Sequence, residues 1–275
     1  MLPTHRVLIV TAVAAEADSV AGGLASAGPG EGESPLPGGF SLRRHARADV
    51  LVAGVGPAAA AAATATALAC APAPYALVVS AGIAGGFAPH APLGAVVVAD
   101  AVVGADLGAQ TPEGYLPVDA LGFGRSAHPV AGELVARISG ALADAGRPCA
   151  VGPVLTVSTV TGTAERAAEL AARHPGAVAE AMEGFGVAEA AAAFGLPVVE
   201  VRAVSNAVGP RDRAAWRIGE ALAALRDTFG VLDRSVFPDA VDPAPGTTAP
   251  GTAAPGTASP LTTPVPAPVE SESPS

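Results

Sequence analysis

"HRVLIVTAVAAEAD" occupies His5–Asp18, and its reading decides the fold. A basic start, an apolar run and an Ala-x-Ala step together mimic a short secretory signal. The charged start is thin, however. Val-Leu-Ile-Val inside Arg6–Val10, followed by a carboxylate at Glu16, is the pattern of a buried first strand feeding a helix. We therefore read a first strand, and look for its continuation.

The continuation alternates. Strands are predicted at Phe40–Arg44, Asp49–Val52, Tyr75–Ala81, Gly94–Val103, Val151–Ser158 and Pro197–Ser205. Helices are predicted at Ala14–Ala27, Ala58–Ala71, Pro129–Ala145, Thr163–Arg173, Gly184–Phe194 and Arg213–Phe229. Such alternation implies an α/β fold, with a mostly parallel or mixed sheet between layers of helices. The 275 residues suffice for one substantial domain. From about Pro238 the composition changes to Pro-Gly-Thr repeats starting at Pro245, Pro250 and Pro255. That segment carries too little bulky apolar surface to offset its chain entropy. The expectation is a folded domain over 1–237 and a disordered tail over 238–275.

Bulk properties exclude several classes. The net charge is -10, and all 15 basic residues are Arg, scattered rather than clustered on one stretch. This argues against nucleic acid as a partner. Mean hydropathy is +0.45, but Ala dominates it, and no run has the bulk and length of a membrane span. Cys70 and Cys149 stand in unrelated contexts and read as reduced packing residues. No cluster has metal-ligand spacing, so neither metal nor cofactor is expected.

In open α/β sheets ligands gather at the carboxyl ends of strands, so chemistry is sought there. Glu16 follows the first strand at a helix start, where the helix dipole favours a carboxylate. It could act as a base or simply face solvent. Gly54–Pro57 opens the Ala-rich helix, and such a turn can cradle a phosphate. Yet its spacing fits neither common phosphate motif, and close backbone packing is the better reading. "AGIAGGF" ends another strand, with Gly82, Gly85 and Gly86 allowing a sharp turn and close ligand approach. Met182 and Glu183 precede a helix: a thioether for an apolar ring face, a carboxylate for vicinal hydroxyls. Asn206 ends "VRAVSN", with Arg211, Asp212 and Arg213 beyond it.

Each signal is soft alone. In this order they resemble the nucleoside phosphorylase/hydrolase family that includes 5′-methylthioadenosine/S-adenosylhomocysteine nucleosidase. The shared features are an acid after the first strand, Gly-x-Ala-Gly-Gly at Gly82–Gly86, Met-Glu-Gly at Met182–Gly184, and Ser-Asn at Ser205–Asn206. Thr111–Gly124, "EAMEGFGVA" and "RAVSNAVGPRDRAAWRI" look like the branch that releases hypoxanthine. The resemblance implies a three-layer fold whose twisted, partly barrel-like mixed sheet is flanked by helices. It also implies a cytoplasmic homodimer or higher homo-oligomer acting on a small nucleoside.

By that resemblance Glu16 activates water, Glu183 takes the sugar hydroxyls beside Met182, and Asn206 contacts the purine. Gly82 and Ile83 would line the site; Ile83 stands where relatives have Ser, so a backbone contact must replace that hydroxyl. Arg211 or Arg213 could meet a negative 5′ extension, or lie on the surface. Phe123 and Phe185 could stack on a ring or pack internally, and His128 reads as structural. An Asn amide can donate to both acceptors of a 6-oxo purine edge, whereas a carboxylate would face a carbonyl oxygen. Phosphorolysis is the rival chemistry. The places where phosphorylases carry arginine hold Ala14–Glu16 and Ser80 here, so phosphate would lack cationic partners.

Overall fold

The computed structural model describes residues 6–25 and 32–241. The tail reading beyond 241 and the end of the first predicted helix lie outside the described residues. Strand β1 (Arg6–Thr11) leads into α1 (Ala14–Gly23), then β2 (Glu33–Pro35), β3 (Ser41–Arg44), β4 (Ala48–Val52) and α2 (Pro57–Ala69). Next come β5 (Tyr75–Gly86), β6 (Val96–Gly104), β7 (Gly108–Thr111), β8 (Gly114–Pro117), β9 (Ala127–Pro129) and α3 (Gly132–Asp144). The rest are β10 (Cys149–Thr156), α4 (Ala164–Arg173), β11 (Ala179–Ala181), α5 (Gly184–Ala193), β12 (Val198–Ala207), α6 (Ile218–Ser235) and α7 (Phe237–Val241).

The main sheet runs β11-β10-β6-β12-β5-β1-β4-β3-β2, and β11 also pairs with β5. That last pairing closes β5, β12, β6, β10 and β11 into a barrel, and β1 through β2 extend it as an open wing. The sheet is mixed, as expected: β1 is parallel to β4 and β5, and β5 to β12, while β12 is antiparallel to β6 and β11 to β5.

Both sheet faces are covered, which explains why Val7–Val10 of β1 are apolar at successive positions rather than at alternate ones. Val7 and Ile9 share a core with Val20 of α1 and Phe229 of α6. Leu8 and Val10 face the other way, onto Ala60, Ala63 and Ala67 of α2 and Val187 of α5. One face of the Ala-rich helix, expected to be buried outright, is covered, and its residues are small for a reason. Gly186 of α5 lies so close to the Pro57 carbonyl of α2 that no β-carbon fits between them.

Several boundaries move. The predicted turn after Ala81 is strand: β5 continues through Gly82–Gly86, because β12 and then β11 supply ladder partners to its end. None of those glycines has a positive φ; their value lies in the missing side chain. Pro129 closes strand β9, pairing with Ala101 of β6, and the helix starts at Gly132. The last long helix begins at Ile218, after a 3-10 turn at Arg213–Ala215, and runs to Ser235. Helix α7 then crosses the expected boundary at 237, with Phe237 fully buried. β2, β7, β8, β9 and β11 carry too few residues for a pattern to announce them. No helix among the described residues is long and apolar enough to cross a membrane.

One buried polar knot pins the wing to the barrel. Asp49 of β4 accepts from Arg6 Nε at 3.0 Å and Nη2 at 2.7 Å, and from the Tyr75 hydroxyl at 2.7 Å. Burial, then the charge of Asp49, pushes the Tyr75 phenol far up, so it stays a donor. Asp49→Ala would leave the Tyr75 hydroxyl without its acceptor and the Arg6 guanidinium with backbone carbonyls but no counter-charge. Thermal and urea unfolding should show a loss of about 3 kcal/mol; a change under ~0.5 kcal/mol would mean the knot is dispensable.

Candidate active site

Glu16 is placed by local backbone. It sits one turn into α1, and its Oε2 accepts from the N–H groups of Ala12 at 3.0 Å and Val13 at 3.3 Å. The carboxylate thus caps its own helix, since Val13 has no side chain able to do so. Its Oε1 accepts from the Ile83 N–H of β5 at 2.9 Å. Glu16 is only 4% exposed. A carboxylate offers about four acceptor positions; three are filled, and the vacant one is on Oε1. That oxygen lies over Gly82, where an added β-carbon would stand 2.5 Å from it and 2.5 Å from Arg202 Nη1.

Arg202 is the group that reading the sequence missed. It is 1% exposed in the middle of β12, where a charged side chain looks like an interruption of a buried strand. Its Nε donates to Glu200 Oε1 at 2.7 Å. Nη2 donates to Glu183 Oε2 at 3.2 Å and to the Ser80 hydroxyl at 3.2 Å. Burial alone would lower its pKa, but Glu200, Glu183 and Glu16 outweigh that and raise it. Burial pushes the Glu200 carboxyl up, against the pull of Arg202. The spacing signal was available: Glu200 and Arg202 alternate, so both face the same side of β12.

Glu183 is brought in by β11 and the turn after β4. Glu180 pairs with Gly85 across the antiparallel β11–β5 ladder. The strand ends at Ala181, and a bend at Met182–Glu183 leads into α5, with Glu183 as the residue before its first turn and its Oε2 on Arg202. Its Oε1 accepts from the Gly56 N–H at 3.2 Å. The glycine turn considered for phosphate therefore serves a carboxylate. Gly184 is required next to it, because a β-carbon there would overlap the Glu200 carboxylate.

Asn206 lies three register steps along β5 from the cluster, opposite Gly85, where the β12–β5 ladder slips by one residue at Ser205. Such bulges re-aim side chains. Its Oδ1 lies 2.9 Å from the Ser205 hydroxyl, and its Nδ2 donates to Ala207 O at 3.0 Å. In this conformation one amide hydrogen remains for a ligand, not the two anticipated. Met182 is half-buried beside Glu183. Ile83 contributes backbone, but to Glu16 rather than to open space. The Phe185 ring is 8% exposed and packs against His128 at 5.3 Å and over Gly104. It is part of the core. His128 meets Glu189 at 2.8 Å. Arg211 is exposed, its guanidinium 5.5 Å from the Trp216 ring; Phe123 is 71% exposed.

The expectation that no cation faces this place needs correcting, since Arg202 does. Its charge is taken up by Glu183 and Glu200, and Glu16 adds a third carboxylate. The cluster therefore suits a neutral nucleophile and a developing positive charge better than an incoming anion.

A barrel-closed mixed sheet with buried acids and an arginine over a glycine strand defines a class. The chain belongs to the phosphorylase superfamily, whose family model matches residues 8–234. It is 59% identical over 231 residues to the futalosine hydrolase of Streptomyces coelicolor, covering 82% of this chain and 94% of that one. It is 52% identical over 226 residues to the futalosine hydrolase of Acidothermus cellulolyticus, covering 82% and 89%. Among solved structures, the futalosine hydrolase of Helicobacter pylori superposes with a TM-score of 0.69 at 17% identity, covering 83% of this chain and 97% of that one. The methylthioadenosine/S-adenosylhomocysteine nucleosidase of Neisseria meningitidis gives 0.70 at 20% identity, covering 83% and 98%. These two likenesses speak for the fold.

Proposed function

We propose that this protein is a futalosine hydrolase: it cleaves the N-glycosidic bond of futalosine with water, releasing hypoxanthine and dehypoxanthine futalosine on a route to menaquinone. The reading includes a cytoplasmic homo-oligomer, a catalytic domain ending near residue 241, and a tail outside it. The observation that carries it is the pair of buried carboxylates, Glu16 and Glu183, both set beside the buried Arg202 guanidinium, with Glu16 and Arg202 meeting over side-chain-free Gly82.

The chemistry follows from what each group can still do. Glu16 Oε1 has an acceptor position left, so it holds a water and takes its proton. The bond from C1′ to the purine nitrogen breaks, its electron pair leaving with the base. The sugar becomes oxocarbenium-like, and the water oxygen bonds to C1′. Glu183 holds the vicinal hydroxyls and lends negative charge to that cation. Arg202 positions Glu183 and is itself held by Glu200. The proton passes finally to the departing base. Asn206 donates to the purine's oxygen or imidazole nitrogen.

Phosphorolysis remains the second reading because Arg202 is a cation in the site. One assay separates the two. Purified protein and futalosine in phosphate-free buffer should release hypoxanthine at a rate that added phosphate leaves unchanged. Release that requires phosphate, or yields a sugar 1-phosphate, would instead make the protein a phosphorylase.

A further inference from the structure

Glu180 is a buried acid that the reaction above does not use. It is 5% exposed on β11. Its Oε1 accepts from the Thr161 N–H at 2.9 Å and its Oε2 from the Thr161 hydroxyl at 2.5 Å. No ion pair to it appears among the described residues. Burying a carboxylate with only two neutral donors is costly, and burial pushes its pKa above the ordinary range. Each oxygen retains an acceptor position, so the carboxylate can take a further donor.

Position suggests which donor. Gly85 of β5 lies directly opposite Glu180 on one side and Asn206 on the other. Strand spacing puts the two backbones about 10 Å apart, with no side chain between them. A β-carbon on Gly85 would stand 3.2 Å from Asn206 Nδ2, so the amide extends over the glycine. The loop carrying Thr161 is tied to the segment beyond Asn206, where the Arg211 N–H donates to Gly162 O at 3.3 Å. Three residues back along β5, about 10 Å away, Gly82 lies under Glu16 and Arg202, and Arg202 in turn holds Glu183. The pleat would send Gly82 and Gly85 to opposite sides of a flat strand. Here β5 is the strand on which the barrel closes, and the slip at Ser205 changes the aim of β12. On the nucleosidase reading, a nucleoside lying along this rim would place its sugar by Gly82 and its base by Gly85.

We propose that Glu180, held by Thr161, accepts the N1–H of a 6-oxo purine and is, opposite Asn206, a determinant of base specificity. The inference rests on the nucleosidase reading above. A 6-oxo purine offers one donor on this edge, N1–H, and acceptors at the oxygen and at nitrogen 7. An ionised carboxylate matches the first and an amide NH₂ the second. A 6-amino purine has an acceptor at N1, which would face Glu180 oxygen against lone pair. A site whose buried polar groups go unmatched discriminates strongly. The arrangement also accounts for the single free hydrogen on Asn206, since the amide need not read the whole edge alone.

The test compares wild type, Glu180→Gln and Glu180→Ala on futalosine and on its 6-amino counterpart, aminodeoxyfutalosine. Inhibition by hypoxanthine and by 1-methylhypoxanthine is measured alongside. Gln keeps both Thr161 contacts and can turn a donor toward N1. Its kcat/KM on futalosine should fall at least about tenfold, mostly in KM, while the ratio of 6-amino to 6-oxo activity rises. Wild type should bind hypoxanthine at least about tenfold tighter than its 1-methyl derivative, and Glu180→Ala should lose that preference. Equal losses on both substrates in Glu180→Gln, or an unchanged preference between the two inhibitors in Glu180→Ala, would overturn the proposal. Failure of wild type to release hypoxanthine from futalosine would instead count against the function, and is read separately from the variants.

Discussion

Glu16→Gln should fold, bind nucleoside and turn it over about 10²–10⁴ times more slowly, with the loss in kcat. Gln preserves the shape and can still accept at one oxygen from the Ala12 and Val13 amides or from Ile83. It cannot serve both as acceptors, because one end is now an NH₂ donor. More importantly, an amide does not take a proton from water. The checks are single-turnover hypoxanthine release and a melting temperature within a few degrees of wild type. Retention of more than a tenth of the wild-type kcat would remove Glu16 from the role of base.

Gly82→Ala should be nearly as damaging, although the glycine touches no proton. Its new methyl would stand 2.5 Å from both Glu16 Oε1 and Arg202 Nη1, too close for any real contact. Neither partner can retreat easily. Glu16 is fixed by three backbone amides, and Arg202 by Glu200, Glu183 and Ser80. A displacement on the order of 1 Å can cost about 10²-fold in rate. The expected result is a fall in kcat/KM of at least that size. Gly39→Ala, on a surface turn with nothing within 4 Å but a φ of +81°, should leave activity unchanged while costing some stability. Near-normal turnover by Gly82→Ala would show that Glu16 and Arg202 do not meet where the reaction occurs.

Much of the candidate site was legible because each piece follows a strand. Glu16 after "VLIVTAV", Met182–Glu183 before a helix and Asn206 at the end of "VRAVSN" each stand where α/β folds place ligands. Arg202 was not legible for the opposite reason. A charge inside an apolar strand gains meaning only from the acids that surround it, and two of the three come from other elements. Glu180 was hidden likewise: "EAMEG" draws attention to its second acid, while the first depends on strand β11, three residues long. Phe185 was open to two readings because an aromatic next to a binding motif and an aromatic in a core have the same local sequence.

By itself, then, the sequence determined the alternation of strand and helix and the burial of β1, and it singled out Glu16, Glu183 and Asn206 but neither Arg202 nor Glu200. Hydrophobic period and helix-start chemistry are local, and local patterns survive in one dimension. Tertiary structure alone decided that β5 runs on through its glycines and that β11 returns along it to close a barrel. It also decided that Gly56 serves Glu183 and that Arg202 sits among three acids. Those facts depend on ladder register and on contacts between residues more than a hundred positions apart, such as Gly56 with Glu183. No spacing within one segment encodes them.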